Sequence, residues 1–136
     1  MFNLLDHREL KSAAKSFVNT LEIKTPSLRR TIQFLSGGNQ QKAVIAKWLL
    51  KDSEILLIDE PTRGVDVKAK NEIYELIKDE KRKGKAIIVT SPEVHELINM
   101  CDRIVIMVSG AIINEIKRNA DGFNEKYILE MIHMSH

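Results

Sequence analysis

The sequence predicts an α/β fold: a parallel sheet with flanking helices, a helical piece before it and a β-hairpin at the C-terminal end. Three observations predict it. The runs Ile55-Leu56-Leu57-Ile58 and Ala86-Ile87-Ile88-Val89-Thr90 have the length and β-branched content of buried strands. Between them Ala69, Ile73, Leu76, Ile77 and Glu80 recur at helical spacing. Beyond them, Ile104–Val108 and Ala111–Ile116 flank Ser109-Gly110, a tight-turn pair. Strand–helix–strand–helix–strand alternation places successive strands parallel, with helices on both faces, and the hairpin adds an edge.

The elements follow in order. Residues 1–24 predict a helix, because Leu10, Ala13, Ala14, Phe17, Val18 and Leu21 form one amphipathic stripe. Thr25-Pro26-Ser27 breaks it, and residues 27–35 read as irregular. A helix follows over Asn39–Lys51, mostly buried, since Ala43, Val44, Ile45, Ala46, Trp48, Leu49 and Leu50 leave little polar face. Pro61 stops the first strand. Asp66 can cap a helix over Val67–Lys83, with Lys81-Arg82-Lys83 complementing the dipole of its last turn and Gly84 following as C′ residue. Pro92 suits the first turn of a helix reaching Met100. A last helix over residues 124–132 turns Tyr127, Ile128, Met131 and Ile132 inward, and His133 and His136 fall in a frayed tail.

Composition excludes several classes. A net charge of +2 in 136 residues is too mild for a nucleic-acid surface. One cysteine, Cys101, excludes an intramolecular disulfide and fits a reducing compartment. No apolar run reaches membrane-spanning length, and the N-terminal residues lack the apolar core of a signal peptide.

Two stretches carry chemistry. Ser36-Gly37-Gly38 precedes the second helix. Ser36 can cap it, the glycines admit close approach, and free N–H groups at a helix start suit phosphate. The first strand ends in Asp59-Glu60-Pro61, so it delivers two carboxylates at its C-terminal tip. With Leu35-Ser36-Gly37-Gly38-Asn39-Gln40-Gln41-Lys42 ahead and Thr62-Arg63-Gly64-Val65-Asp66 behind, these stretches resemble the signature motif, Walker B strand and D-loop of ABC-type ATPases. The Asn-Gln-Gln-Lys and Thr-Arg-Gly-Val-Asp forms resemble the second ATPase half of bacterial ribose/galactose-type sugar importers. The resemblance runs from about Thr31 to about Ile116.

The resemblance implies a partial P-loop NTPase fold. Residues 1–35 would be part of the helical subdomain, and 36–136 the C-terminal part of the ATPase core. The implied cofactors are ATP and Mg²⁺. Asp59 would serve the metal, and Glu60 would polarise the attacking water. Ser36, Gly37, Gly38, Asn39 and Gln40 would close over ATP held by a second ABC ATPase domain in a head-to-tail dimer, with Asp66 making the D-loop contact. A transmembrane permease would be the other partner, placing the protein in the cytoplasm, peripheral on the inner face of the cell membrane. DNA- or ribosome-directed relatives fit less well, because their D-loops differ and no heptads appear here.

Two departures qualify this. The phosphate cradle Gly-x-x-x-x-Gly-Lys-Ser/Thr is absent, and the lone Gly-Lys pair, Gly84-Lys85, reads as a helix stop. The chain is therefore expected to be an ATPase fragment, inactive alone. The alternative is a non-enzymatic module lending its signature and D-loop to a partner, or a gene remnant. Secondly, Ser91 stands where the family usually has a switch histidine; it donates a hydrogen bond but holds no charge. His95 reads as a surface residue. Missing sheet neighbours would leave exposed strand edges prone to self-association.

Overall fold

The computed structural model describes residues 7–134. In chain order it holds α1 (His7–Thr20), a 3₁₀ turn (Ile32–Phe34), α2 (Gly37–Leu49) and β1 (Ile55–Asp59). Then come α3 (Val67–Arg82), β2 (Ala86–Thr90), α4 (Val94–Met100), β3 (Arg103–Val108), β4 (Ala111–Lys117) and α5 (Glu125–His133). The start of the helix expected over residues 1–24 and the final histidine, His136, lie outside the described residues. The chain clusters into two compact units. One holds the residues up to Leu56 together with Pro61–Ile88, and the other holds Leu57–Glu60 and the residues from Val89 onward.

In the first unit, Phe17 and Val18 of α1 pack beside Leu21, Ile23 and Ala46. Leu10, expected in the same stripe, is exposed. Helix α2 corrects the expectation of near-complete burial. It buries Gly38, Lys42, Ile45, Ala46 and Leu49, whereas Val44 and Trp48 face solvent. Those positions fall one helical turn apart on the outer side, where Lys47 and Lys51 lie over the indole. Helix α3 buries Ala69, Ile73, Ile77 and Glu80 as their spacing predicts, and adds Tyr74. It ends at Gly84, whose φ of +90° needs glycine.

A charged cluster fastens this end of α3. Lys83 Nζ reaches Glu80 at 2.6 Å, and Lys85 Nζ reaches Glu80 at 2.9 Å and Asp52 at 3.0 Å. Burial works to raise the Glu80 carboxyl, but hydrogen bonds and charge from the two lysines outweigh it and hold the pKa below its usual 4.5. Hydrogen bonds that Lys85 donates to Glu80 and Asp52 likewise hold its pKa above 10.5. A depressed carboxyl stabilises the fold above its unfolded pKa and loses that contribution as pH falls through the folded value. A raised lysine does the reverse at high pH. The contribution should therefore be flat between about 4.5 and 10.5 and fall away outside that window. Urea titrations should show Glu80→Gln flattening the acid side; an unchanged acid slope would count against the cluster.

Strands β1 and β2 are hydrogen-bonded neighbours running parallel. At one end the Ala86 N–H donates to the Glu54 carbonyl, and at the other the Glu60 N–H donates to the Thr90 carbonyl. Both strands were expected to be buried on both faces. Instead burial alternates: Leu56 is buried, while Ile55, Leu57 and Ile88 are exposed. The apolar content thus reflects a face that nothing described covers. Nor does β3 extend this ladder among the described residues. It pairs antiparallel with β4, with Arg103 opposite Lys117 and Val108 opposite Ala111. A two-residue turn closes that pairing at little entropic cost.

The second unit packs Val94, Ile104, Ile106, Ile116 and Ile128 into one core. Pro92 precedes α4 rather than opening it, because the helix starts at Val94 with Glu93 as N-cap. Arg118 closes the other end: its guanidinium donates to the carbonyls of Ile98 and Cys101, both at 2.7 Å, and stacks over Phe123. Cys101 is half-buried. In α5, Ile128 is 1% exposed, but Tyr127, expected inward, lies on the surface; His133 belongs to the last turn of the helix rather than to a frayed tail.

Candidate functional site

The signature turn is built at the start of α2. Ser36 has the extended backbone of an N-cap, φ −61° and ψ 154°, but its hydroxyl caps no backbone N–H. It accepts instead from Asn39 Nδ2 at 2.7 Å. The sequence expectation of a serine cap is corrected on this point: the hydroxyl serves the Asn39 side chain and no backbone N–H of the first turn. Asn39 Oδ1 accepts from the Lys24 N–H at 2.8 Å, and Gln40 Nε2 donates to the Leu35 carbonyl at 2.7 Å. The two amides thus tie the turn to the chain before it. The first helical bond runs from the Gln40 N–H to the Ser36 carbonyl at 2.9 Å. The N–H groups of Gly37, Gly38 and Asn39 therefore precede the ladder, as at any helix start. Ser36 and Gly37 are exposed, and Gly38 is buried.

The loop running from Thr62 to Asp66 packs against this turn. Gly64 takes φ +71°, and Asp66 Oδ1 accepts from the Ala69 N–H at 3.0 Å, capping α3 as predicted. A Cβ on Gly37 would stand 3.3 Å from the Gly64 carbonyl oxygen, and one on Gly38 only 2.5 Å from Ala69 Cβ. The second glycine is therefore a packing necessity quite apart from any ligand. Gly38→Ala should cost about 1–3 kcal/mol by overpacking. Combined with Ala69→Gly, the loss should be smaller than the two single losses summed, by about 1 kcal/mol in a double-mutant cycle. Strict additivity in thermal unfolding would contradict the contact. One turn further, buried Lys42 pairs with Glu72 of α3.

The acids stand at the tip of β1. Asp59 is exposed and Glu60 half-buried. Glu60 has φ +43°, a left-handed backbone on a residue with a Cβ, which stores strain. Its N–H meets both the carbonyl and the hydroxyl of Thr90 at 3.2 Å. The Thr90 hydroxyl in turn donates to Asp59 Oδ1. Sequence reasoning passed over Thr90 and picked Ser91. The Ser91 hydroxyl donates to buried Glu96 Oε2 at 2.7 Å and accepts from the Glu93 N–H at 3.0 Å. A signal for Thr90 existed: a hydroxyl residue closing an apolar strand next to one that ends in acids. Only the strand pairing shows that it faces them. His95 is exposed, 3.6 Å from Glu93, as a surface histidine should be.

So the structure brings Ser36, Gly37 and Gly38 together with the D-loop in one unit, and Asp59 and Glu60 together with the end of β2 in the other. The chain is similar to known proteins. Residues 3–63 match the ABC transporter family. The chain is 45% identical over 130 residues to the ribose import ATP-binding protein RbsA of Clostridium perfringens, which covers 96% of this chain and 26% of that protein. It is 44% identical over 131 residues to the galactose/methyl galactoside import ATP-binding protein MglA of Escherichia coli, covering 96% and 26%. It superposes with a TM-score of 0.75 on a dimeric ATP-binding cassette bound to ADP and Pi, at 25% identity, covering 88% of this chain and 52% of that one. The chain thus spans about a quarter of the length of the curated relatives it matches. In the Ser36-Gly37-Gly38 turn, the acid-tipped strand and this fold, the chain is similar to ATP-binding-cassette proteins over most of its length.

Proposed function

We propose that the chain supplies the signature, catalytic acids and D-loop of an ATP-hydrolysing subunit that energises sugar import. The observation that carries it is the pair Asp59 and Glu60, delivered at one strand tip and held by the end of the next strand. Hydrolysis of a γ-phosphate needs a phosphate cradle, a metal, a carboxylate for that metal and a group to orient water. Asp59 suits a hard cation: it is exposed, and only one of its oxygens takes the Thr90 proton, so lone pairs remain on the other. Mg²⁺ bound there would neutralise charge on the phosphates. Glu60 would polarise water. Ser36 Oγ and the N–H groups of Gly37 and Gly38 would meet a γ-phosphate presented by a second cassette, with Asp66 at the same interface. The exposed Ser36 and the free helix start support that role.

We assign residues 1–35 to the helical subdomain and 36–136 to the core. Ser91, in place of a charged switch residue, would make a weaker phosphate contact. The partners are a second ATPase domain and a permease that holds the protein on the inner face of the membrane; among the described residues no helix is long and apolar enough to cross one. The uncovered face carrying Ile55, Leu57 and Ile88 would favour self-association of the chain on its own.

The 136 residues contain no Gly-x-x-x-x-Gly-Lys-Ser/Thr cradle, which is the basis for inactivity in isolation. Given Mg²⁺ and ATP, the chain alone should release no phosphate steadily. Mixed with a separately produced phosphate-loop half of the Clostridium relative, it should do so. Steady turnover by the chain alone refutes its dependence on that half, and a silent mixture sinks the hydrolytic role.

A further inference from the structure

We propose that Thr90 is the positioning residue for both acids: its single hydroxyl fixes the Asp59 carboxylate and the Glu60 backbone at once. This deepens the hydrolytic reading above and rests on it.

The geometry uses the hydroxyl both as donor and as acceptor. The Thr90 proton goes to Asp59 Oδ1, which requires that oxygen to be an acceptor, and a lone pair receives the Glu60 N–H at 3.2 Å. Asp59 thereby loses rotamer freedom, and one of its oxygens is spoken for. The other is left to face a cation in a set direction. Glu60 is held in its left-handed backbone, φ +43°, by the same hydroxyl and by the Thr90 carbonyl. Without a tether, a residue with a Cβ relaxes out of that region, and the carboxylate swings with it. Metal-holding and water-orienting groups must be placed within a fraction of an ångström of their working geometry, so a shared tether matters to both.

Ser91 does not duplicate the arrangement. Its proton is on Glu96 and its lone pair takes the Glu93 N–H, so its hydroxyl serves the start of α4. Of the two neighbouring hydroxyls at the end of β2, Thr90 is the one turned to the acids. Valine has the shape of threonine and the same β-branching, so Thr90→Val keeps the strand and the carbonyl bond to Glu60 and removes only the two contacts of the hydroxyl. Thr90→Ser keeps the tether.

The test compares the full 136-residue chain with its Thr90→Val and Thr90→Ser variants by amide hydrogen exchange. In Thr90→Val the Glu60 amide should exchange about fivefold faster, the loss of one ordinary hydrogen bond, while the amides of Leu56 and Ile58 within β1 stay as they were. Thr90→Ser should match the native chain. The tether is overturned by an unchanged Glu60 rate in Thr90→Val, by equal acceleration along the whole strand, or by Thr90→Ser behaving like Thr90→Val.

A second readout uses Mn²⁺ alone as probe, following paramagnetic broadening around residue 59. The Mn²⁺ concentration for half-broadening should rise about fivefold in Thr90→Val and not in Thr90→Ser, if one directional contact to the metal's ligand is lost. An Asp59→Asn chain separates the two levels. Broadening indifferent to that substitution overturns the metal role of Asp59, and with it the purpose assigned to Thr90. Broadening that depends on Asp59 but ignores Thr90→Val overturns the positioning role alone.

Discussion

Glu60→Gln is expected to lower Mg²⁺-dependent ATP hydrolysis by about 10²–10⁴-fold once a phosphate-loop half is supplied, the usual worth of a positioned acid–base group. Glutamine matches glutamate in size and keeps an oxygen on water, but it cannot take up a proton. The KM for ATP should barely move, since the role proposed for Glu60 is on the attacking water and not in ground-state nucleotide binding. The bonds to Thr90 should survive, because they use the Glu60 backbone N–H, and both side chains bear the same cost at φ +43°. Asp59→Asn should behave differently, raising the Mg²⁺ concentration needed for half-maximal rate. Phosphate-release assays against Mg²⁺ and ATP separate the two patterns. Retention of more than about a tenth of the rate in Glu60→Gln would falsify the water-orienting role. Full retention would favour a lid that hydrolyses nothing itself.

The second large effect lies in the signature helix. Lys42 is 4% exposed and pairs with Glu72, whose side chain is 31% exposed. The cost of removing charge is therefore lopsided. Glu72→Gln leaves a buried ammonium with an uncharged partner and should destabilise by about 2–3 kcal/mol, below the full range for a buried pair because Glu72 is partly wet. Lys42→Met removes the buried charge and keeps the stem packed, so it should cost less than about 1 kcal/mol. Urea unfolding of the two variants gives the comparison, and equal losses would mean that the ammonium is better solvated than its burial indicates. The pair links α2 to α3 one turn from the contact of Gly38 with Ala69, so the two helix starts are fastened at two points.

Much of this was legible along the chain. The α3 boundaries, its Asp66 cap and its Gly84 stop follow from local chemistry, and the structure places them within a residue of expectation. The same is true of the hairpin around Ser109-Gly110 and of the acids closing β1. Failures cluster where a residue's partner is remote in sequence. Lys42 sits in a polar tetrapeptide, and nothing near it says that it is buried. Trp48 and Val44 look like core until the helix is rotated into place. Thr90 reads as a strand end, and its contact with the acids exists only across the β1–β2 ladder.

The amino-acid sequence by itself determined the order and type of the helices and strands and many of their bounds, the family resemblance and the identity of the chemical groups. Capping, periodicity and motif spacing act over a few residues and need no knowledge of the rest. Tertiary structure decided which faces are covered, why the second signature glycine cannot bear a side chain, and which hydroxyl holds the acids. Those depend on contacts between segments far apart in the chain, where a difference of an ångström separates a hydrogen bond from none.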